Sequence, residues 1–241
     1  MNLTAFQVVL QFYLKDMNGM NPFEGGSRGR SPSMIIGPDF IWLHFPKCAG
    51  TSVEKALRAI YKGKRDYQFD PIGGARPVIW HDTLWARRQR DPNFSPGNRR
   101  ILCCFRRLPS WILSRVHFIA TRDERLTPTR EMLMAGRFRE NNGNINNPDN
   151  YLAGFVASKP TTWLRTEFIA SDLATALSLP QSQISKHLPH ETHGLNYIRN
   201  VDFWFTPEEL RRLYEACPLW AEWEMKIYGS LLTLSPDDTD I

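Results

Sequence analysis

Phe40-Ile41-Trp42-Leu43-His44-Phe45-Pro46-Lys47-Cys48-Ala49-Gly50-Thr51-Ser52 is the stretch on which the fold turns. Its first six residues are an apolar run suited to a buried strand. A tight turn of small residues follows, and Thr51 or Ser52 can cap a helix that carries Val53, Ala56, Leu57 and Ile60 on one side. The backbone N–H groups exposed at such a helix start bind phosphate, helped by the helix dipole. Gly50 lets the backbone approach a ligand closely. Thr51 and Ser52 add hydroxyl donors, and Lys47 places a positive charge at the strand's end.

The same alternation recurs along the chain. Residues 77–80 read as a second strand that ends at His81 and leads to a helix containing Leu84 and Trp85. A third strand over 100–105 runs into a helix near 110–120, and a fourth over 162–164 precedes a helix over 168–177. Helices over 207–215 and 219–227 close the chain, while 91–98 and 141–150 read as loops. Alternating strands and helices predict an α/β fold of three layers, a central, mostly parallel sheet flanked by helices. Ligands in such sheets bind beyond the carboxyl ends of the strands, which puts 46–52, His81 and Arg106 at one edge. Upstream, Leu3, Phe6, Val9, Leu10 and Tyr13 form a helical stripe, and the Gly-, Pro-, Ser- and Asn-rich 17–38 reads as a flexible connection.

Composition narrows the class. The 241 residues suit one main domain, and 42% hydrophobic with 23% charged residues is ordinary for a globular protein. The net charge of +5 comes from local arginine groups such as Arg87-Arg88, Arg99-Arg100, Arg106-Arg107 and Arg211-Arg212, which mostly read as solvated faces. No aromatic-basic RNA-binding pattern or finger spacing points to nucleic acid. Cys48, Cys103, Cys104 and Cys217 lack the spacing of a disulfide framework or a zinc site, which suits a reducing compartment. The apolar stretch at 6–14 is interrupted by Gln7 and Gln11 and is too short to span a bilayer, so a cytoplasmic protein without a membrane span is expected.

The 46–52 loop is not a Walker A loop, in which lysine comes late, directly before Ser or Thr. It resembles the 5′-phosphosulfate loop of sulfotransferases that use 3′-phosphoadenosine 5′-phosphosulfate (PAPS), commonly Pro-Lys-x-x-Gly-Thr-Ser. His44-Phe45-Pro46-Lys47 is also similar to the His-Ile-Pro-Lys form of carbohydrate sulfotransferases. Cys48-Ala49 departs from the usual Thr-Gly or Ser-Gly and loses one hydroxyl. Arg106, with Ser114 eight residues on, resembles the family's 3′-phosphate motif, although Arg107 and Leu108 stand where Asn or Asp and then Pro are usual. Taking Arg107 instead would fit Pro109 but leave Ser114 one residue short. Ser114-Arg115-Val116-His117-Phe118, similar to the family's Ser-x-x-His-Phe continuation, favours Arg106. His81-Asp82-Thr83 resembles a His-x-Thr segment between the two motifs and makes His81 the candidate base, with Asp82 and Glu54 as carboxylate alternatives. Arg165-Thr166-Glu167 resembles an Arg-x-Glu segment, either structural or framing the nucleotide. Of the other histidines, His44 is expected to pack, His117 to be structural, and His187, His190 and His193 to lie in a loop rather than bind metal.

The resemblance covers about 40–229 and implies a P-loop-like sulfotransferase fold over 39–241, preceded by an N-terminal helix and connection over 1–38. It implies a PAPS donor, 3′,5′-adenosine bisphosphate as product, and no metal. The backbone of Cys48, Ala49, Gly50, Thr51 and Ser52 would cradle the 5′-phosphate while Lys47 stabilises the leaving oxygen. Arg106 and Ser114 would hold the 3′-phosphate, and His81 would deprotonate a hydroxyl or amine of a glycan or small-metabolite acceptor. Two rivals stand beside this: a P-loop-type nucleotide phosphotransferase, and a non-catalytic nucleotide-binding module on the same fold.

Overall fold

The computed structural model describes residues 34–69, 81–189 and 198–234, so the strand expected over 77–80 and the helical stripe at 3–13 lie outside the described residues. Within them the chain is an α/β protein that divides into two compact units interleaved in sequence: one from the described parts of 26–105 and 154–192, the other from those of 106–153 and 193–241. The 39–241 stretch expected as one domain is thus shared between two units.

The first unit is built on a five-stranded sheet. Its strands are β1 (Met34–Ile36), β2 (Phe40–Leu43), β3 (Gln68–Phe69), β4 (Arg100–Phe105) and, after two further short strands, β7 (Thr162–Arg165), in the order β3-β1-β2-β4-β7. β2, β4 and β7 run parallel, whereas β1 is antiparallel to both of its neighbours. The sheet is therefore mixed. The reason is local: only Gly37-Pro38-Asp39 separate β1 from β2, and so short a link permits only a hairpin. β1 also corrects the sequence reading at 34–36, which is a buried strand and not part of a flexible connection. A run of Gly, Pro and Ser masked three consecutive apolar residues too few to register as a strand.

β2 is buried at every position, and β4 at all but its first, which explains their unbroken apolar runs. Register pairs Leu43 with Cys103 and Phe105 with Arg165, so the carboxyl ends of β2, β4 and β7 emerge at one edge. β2 feeds α1 (Gly50–Ile60), whose Val53, Ala56 and Leu57 are buried as the sequence pattern requires. α2 (Leu84–Arg90) starts at Thr83, whose hydroxyl accepts from the Ala86 N–H at 3.1 Å.

The second unit opens with α3 (Leu108–Ala120), followed by α4 (Arg130–Met134) and the hairpin of β5 (Phe138–Arg139) and β6 (Ile145–Asn146). α5 (Pro148–Ala157) contributes residues to each unit. The stretch 141–150, expected as a loop, is thus the tip and return strand of a hairpin and the start of a helix; its asparagines serve the turn and the helix entry. In the first unit α6 (Ile169–Leu177) packs on β7, and α7 (Gln181–His187) packs on α6 and α1. In the second, α8 (Pro207–Ala216) and α9 (Pro218–Tyr228) pack on α3. Trp111 anchors that core, its ring 4.7 Å from Trp220 and 5.5 Å from Tyr151. Among the described residues no helix is long and apolar enough to cross a membrane.

Candidate functional site

β2 ends at Leu43, and the chain turns through Phe45, Pro46, Lys47, Cys48 and Ala49 before α1 begins at Gly50. Lys47 (φ 62°) and Ala49 (φ 57°) both take left-handed backbone, a conformation that costs a residue with a Cβ about 1 kcal/mol or more. Ala49 occupies the N-cap position. The expected cap by Thr51 or Ser52 is therefore corrected: both lie inside the first turn. A cap residue without a side-chain oxygen leaves the opening N–H groups of α1 to other acceptors. Left-handed residues just before a helix start curl successive N–H groups into a concave, anion-accepting shape.

Gly50 has a concrete steric reason. A Cβ there would lie 1.8 Å from Nε2 of His44, so the imidazole occupies the space a side chain would need. His44 packs, as expected: it is only 5% exposed and stacks on Trp42 at 5.2 Å. The same ring meets His81 edge-on at 4.8 Å, and His81 Nδ1 lies 3.0 Å from the carbonyl oxygen of His44. Residues 37 apart in sequence are thereby joined just past β2. A carbonyl oxygen only accepts, so Nδ1 carries the proton and, in the neutral ring, Nε2 carries the lone pair. That is the tautomer a general base needs at Nε2.

The two carboxylate alternatives are engaged otherwise. Glu54 is buried and paired with Arg58 at 2.8 Å, and buried Asp82 is ion-paired with Arg90. His81, the base expected from sequence, lies in the same unit.

Arg106 and Ser114 lie in the second unit. The Arg106 carbonyl accepts from Trp220 Nε1 at 3.1 Å, and Ser114 sits on α3 with 5% exposure. Arg107 has a structural duty: it donates to the buried Glu224 at 3.0 Å and to the Ser230 carbonyl at 3.0 Å, and it covers the Tyr228 ring at 4.3 Å. Glu224 also receives the Leu108 N–H at 2.8 Å and the Tyr214 hydroxyl at 2.7 Å. Burial holds the Glu224 carboxyl above its usual range, opposed by these donors.

In the Arg165-Thr166-Glu167 segment, the first two residues make contacts within the first unit. Arg165 is clamped by Asp172 through two side-chain contacts at 2.9 and 2.8 Å. Thr166 donates to the Phe105 carbonyl at 2.9 Å and so fixes the end of β4. Against the opposing effect of burial, the Arg165 guanidinium and backbone N–H hold Asp172 below the usual carboxylate range. His117 donates to the Leu113 carbonyl at 2.8 Å and abuts Trp204, a structural placement. His187 is the last residue of α7 rather than a loop residue, whereas His190 and His193 lie outside the described residues. No cluster of metal-ligating side chains occurs among the described residues.

The contact of His44 with both Gly50 and His81 is what sequence reasoning missed. Its signal was the spacing of Trp42 and His44, two apart and so on one side of an extended chain. Fold and site together define the class: an α/β protein whose first parallel strand leads into a left-handed turn and a helix N-terminus, with His81 hydrogen-bonded to the His44 carbonyl just past that strand. Comparison with known protein families, with characterised proteins and with solved structures finds no match.

Proposed function

We propose that the chain is a PAPS-dependent sulfotransferase on a P-loop-like fold. The observation that carries this reading is the turn between β2 and α1, where Lys47 and Ala49 accept left-handed backbone immediately before an α-helix. Strain of that kind persists where surrounding structure or function requires it. The motif Pro46-Lys47-x-x-Gly50-Thr51-Ser52 supplies the chemistry. N–H groups of 48–52 donate to the 5′-phosphate, and Lys47 neutralises charge on the bridging oxygen as it leaves. Arg106 is assigned to the 3′-phosphate with Ser114, and this rests on the motif.

In the reaction, the acceptor oxygen or nitrogen attacks sulfur while its proton passes to Nε2 of His81. The bond from sulfur to the phosphate-bridging oxygen breaks, and 3′,5′-adenosine bisphosphate departs. Positioning and charge stabilisation provide the rate. The acceptor is a hydroxyl or amine on a glycan or small metabolite.

The test has two parts. Titration calorimetry should show 3′,5′-adenosine bisphosphate binding wild type far more tightly than ATP, with binding weakened by Lys47→Ala and by Arg106→Ala. Transfer of labelled sulfur from PAPS across an acceptor panel should fall about 10²–10⁴-fold in His81→Ala. Preference for ATP would favour a phosphotransferase. Binding without any transfer would leave a nucleotide-binding module, and binding untouched by both substitutions would overturn the site.

A further inference from the structure

His44 touches two things the chemistry must keep in register. Its ring fills the place of a Gly50 side chain at the start of α1 and meets the His81 ring edge-on, while its carbonyl receives the His81 Nδ1 proton. Trp42 backs the ring from within β2, and burial leaves it little room to move. We infer that His44 is a positioning residue that ties the α1 turn to His81, holding both the place of the turn and the tautomer of the base. The inference deepens the sulfotransferase reading and rests on it for the catalytic meaning of that register.

The logic is steric and electronic at once. If the turn shifts, Gly50 moves against the His44 ring, which is packed against both Trp42 and His81. If the ring is removed, His81 loses the edge contact that aims Nδ1 at the carbonyl, and its proton can redistribute to Nε2. A base carrying a proton on the nitrogen that must accept one is idle. One side chain thus makes the geometry at the donor end a condition for a working base.

Two measurements on the free protein decide this. In the nitrogen-15 spectrum of the His81 ring, wild type should show a protonated Nδ1 and a lone pair on Nε2. His44→Ala should move the proton towards Nε2, and His44→Phe, which keeps an aromatic edge against His81, should restore the wild-type pattern. Denaturant unfolding supplies the second. Gly50→Ala should lower the midpoint strongly in wild type and much less in the His44→Ala background, the signature of a direct contact. An unchanged tautomer in His44→Ala, or equal midpoint shifts in both backgrounds, overturns the inference. With an acceptor in hand, His44→Ala should lower kcat about 10²-fold, as expected of a misplaced base, and raise the KM for PAPS through the loosened turn. Neither the spectrum nor the unfolding cycle needs an acceptor. They decide the role of His44 even if no sulfuryl transfer is found, a result that would sink the sulfotransferase reading alone.

Discussion

Lys47 and Ala49 stand in left-handed backbone where glycine would be easier, and the two positions respond differently to relief. Ala49→Gly should raise stability by up to about 1 kcal/mol in denaturant unfolding, because the residue gives up a disfavoured conformation and no polar contact of its side chain. Lys47→Gly eases the same strain but removes the charge, so it should weaken binding of 3′,5′-adenosine bisphosphate. A stabilised Lys47→Gly that bound the nucleotide as well as wild type would show that the lysine is there for shape alone. Arg107 carries a different kind of load. It is the cationic partner of a carboxylate that is 0% exposed, so Arg107→Ala leaves a buried charge without its counter-charge and should cost about 3 kcal/mol, read by the same unfolding. The neighbouring arginines 106 and 107 look alike in sequence. The fold alone shows that Arg107 pairs with Glu224 on α9, 117 residues away.

Among the elements, α9 has an unusual start. Its opening N–H groups at Leu219 and Trp220 are received by the Asp149 carboxylate on α5, at 2.9 and 2.8 Å. Burial pushes the Asp149 carboxyl up to about 6, with those two hydrogen bonds pulling it down. An unfolded aspartate titrates near 4, so between about pH 4 and 6 the folded chain keeps a proton that the unfolded chain has released. This group's contribution to stability is therefore greatest below about pH 4, falls as pH rises through that window, and is flat above it. Asp149→Asn keeps one of the two accepting oxygens and removes the ionisation, so it should flatten the pH dependence between 4 and 6. Unfolding midpoints at several pH values check this; an unaltered slope in the variant would assign the dependence to other groups. α8 shows the conventional alternative, a capping box in which Thr206 receives the Glu209 N–H and the Glu209 carboxylate receives the Thr206 N–H. That box was written in the local sequence, whereas the Asp149 cap spans 70 residues and was not.

For the whole molecule, the expectation that separates the functional readings is linkage. Saturation with 3′,5′-adenosine bisphosphate at about a hundred times its Kd should add about 2.7 kcal/mol to unfolding, and ATP at the same concentration should add far less. A larger shift with ATP would point to phosphoryl transfer. The sequence by itself determined the α/β class, the burial of β2 and β4, and the helical periodicity that follows them. Each of these is written in neighbours a few residues apart, where apolar runs, small residues and spacing act directly on the backbone. It could not determine the antiparallel β1, the partition into two units, or which polar side chains already hold partners. Asp82, Glu54, Arg107 and Arg165 read as available groups in sequence, and each is ion-paired in the fold. Pairing depends on where distant elements come to rest, and burial makes it decisive, because a charge taken out of water requires a partner. The tautomer of His81 belongs to the same category: the residue was legible in sequence, but only the packing of His44 decided which nitrogen keeps the proton.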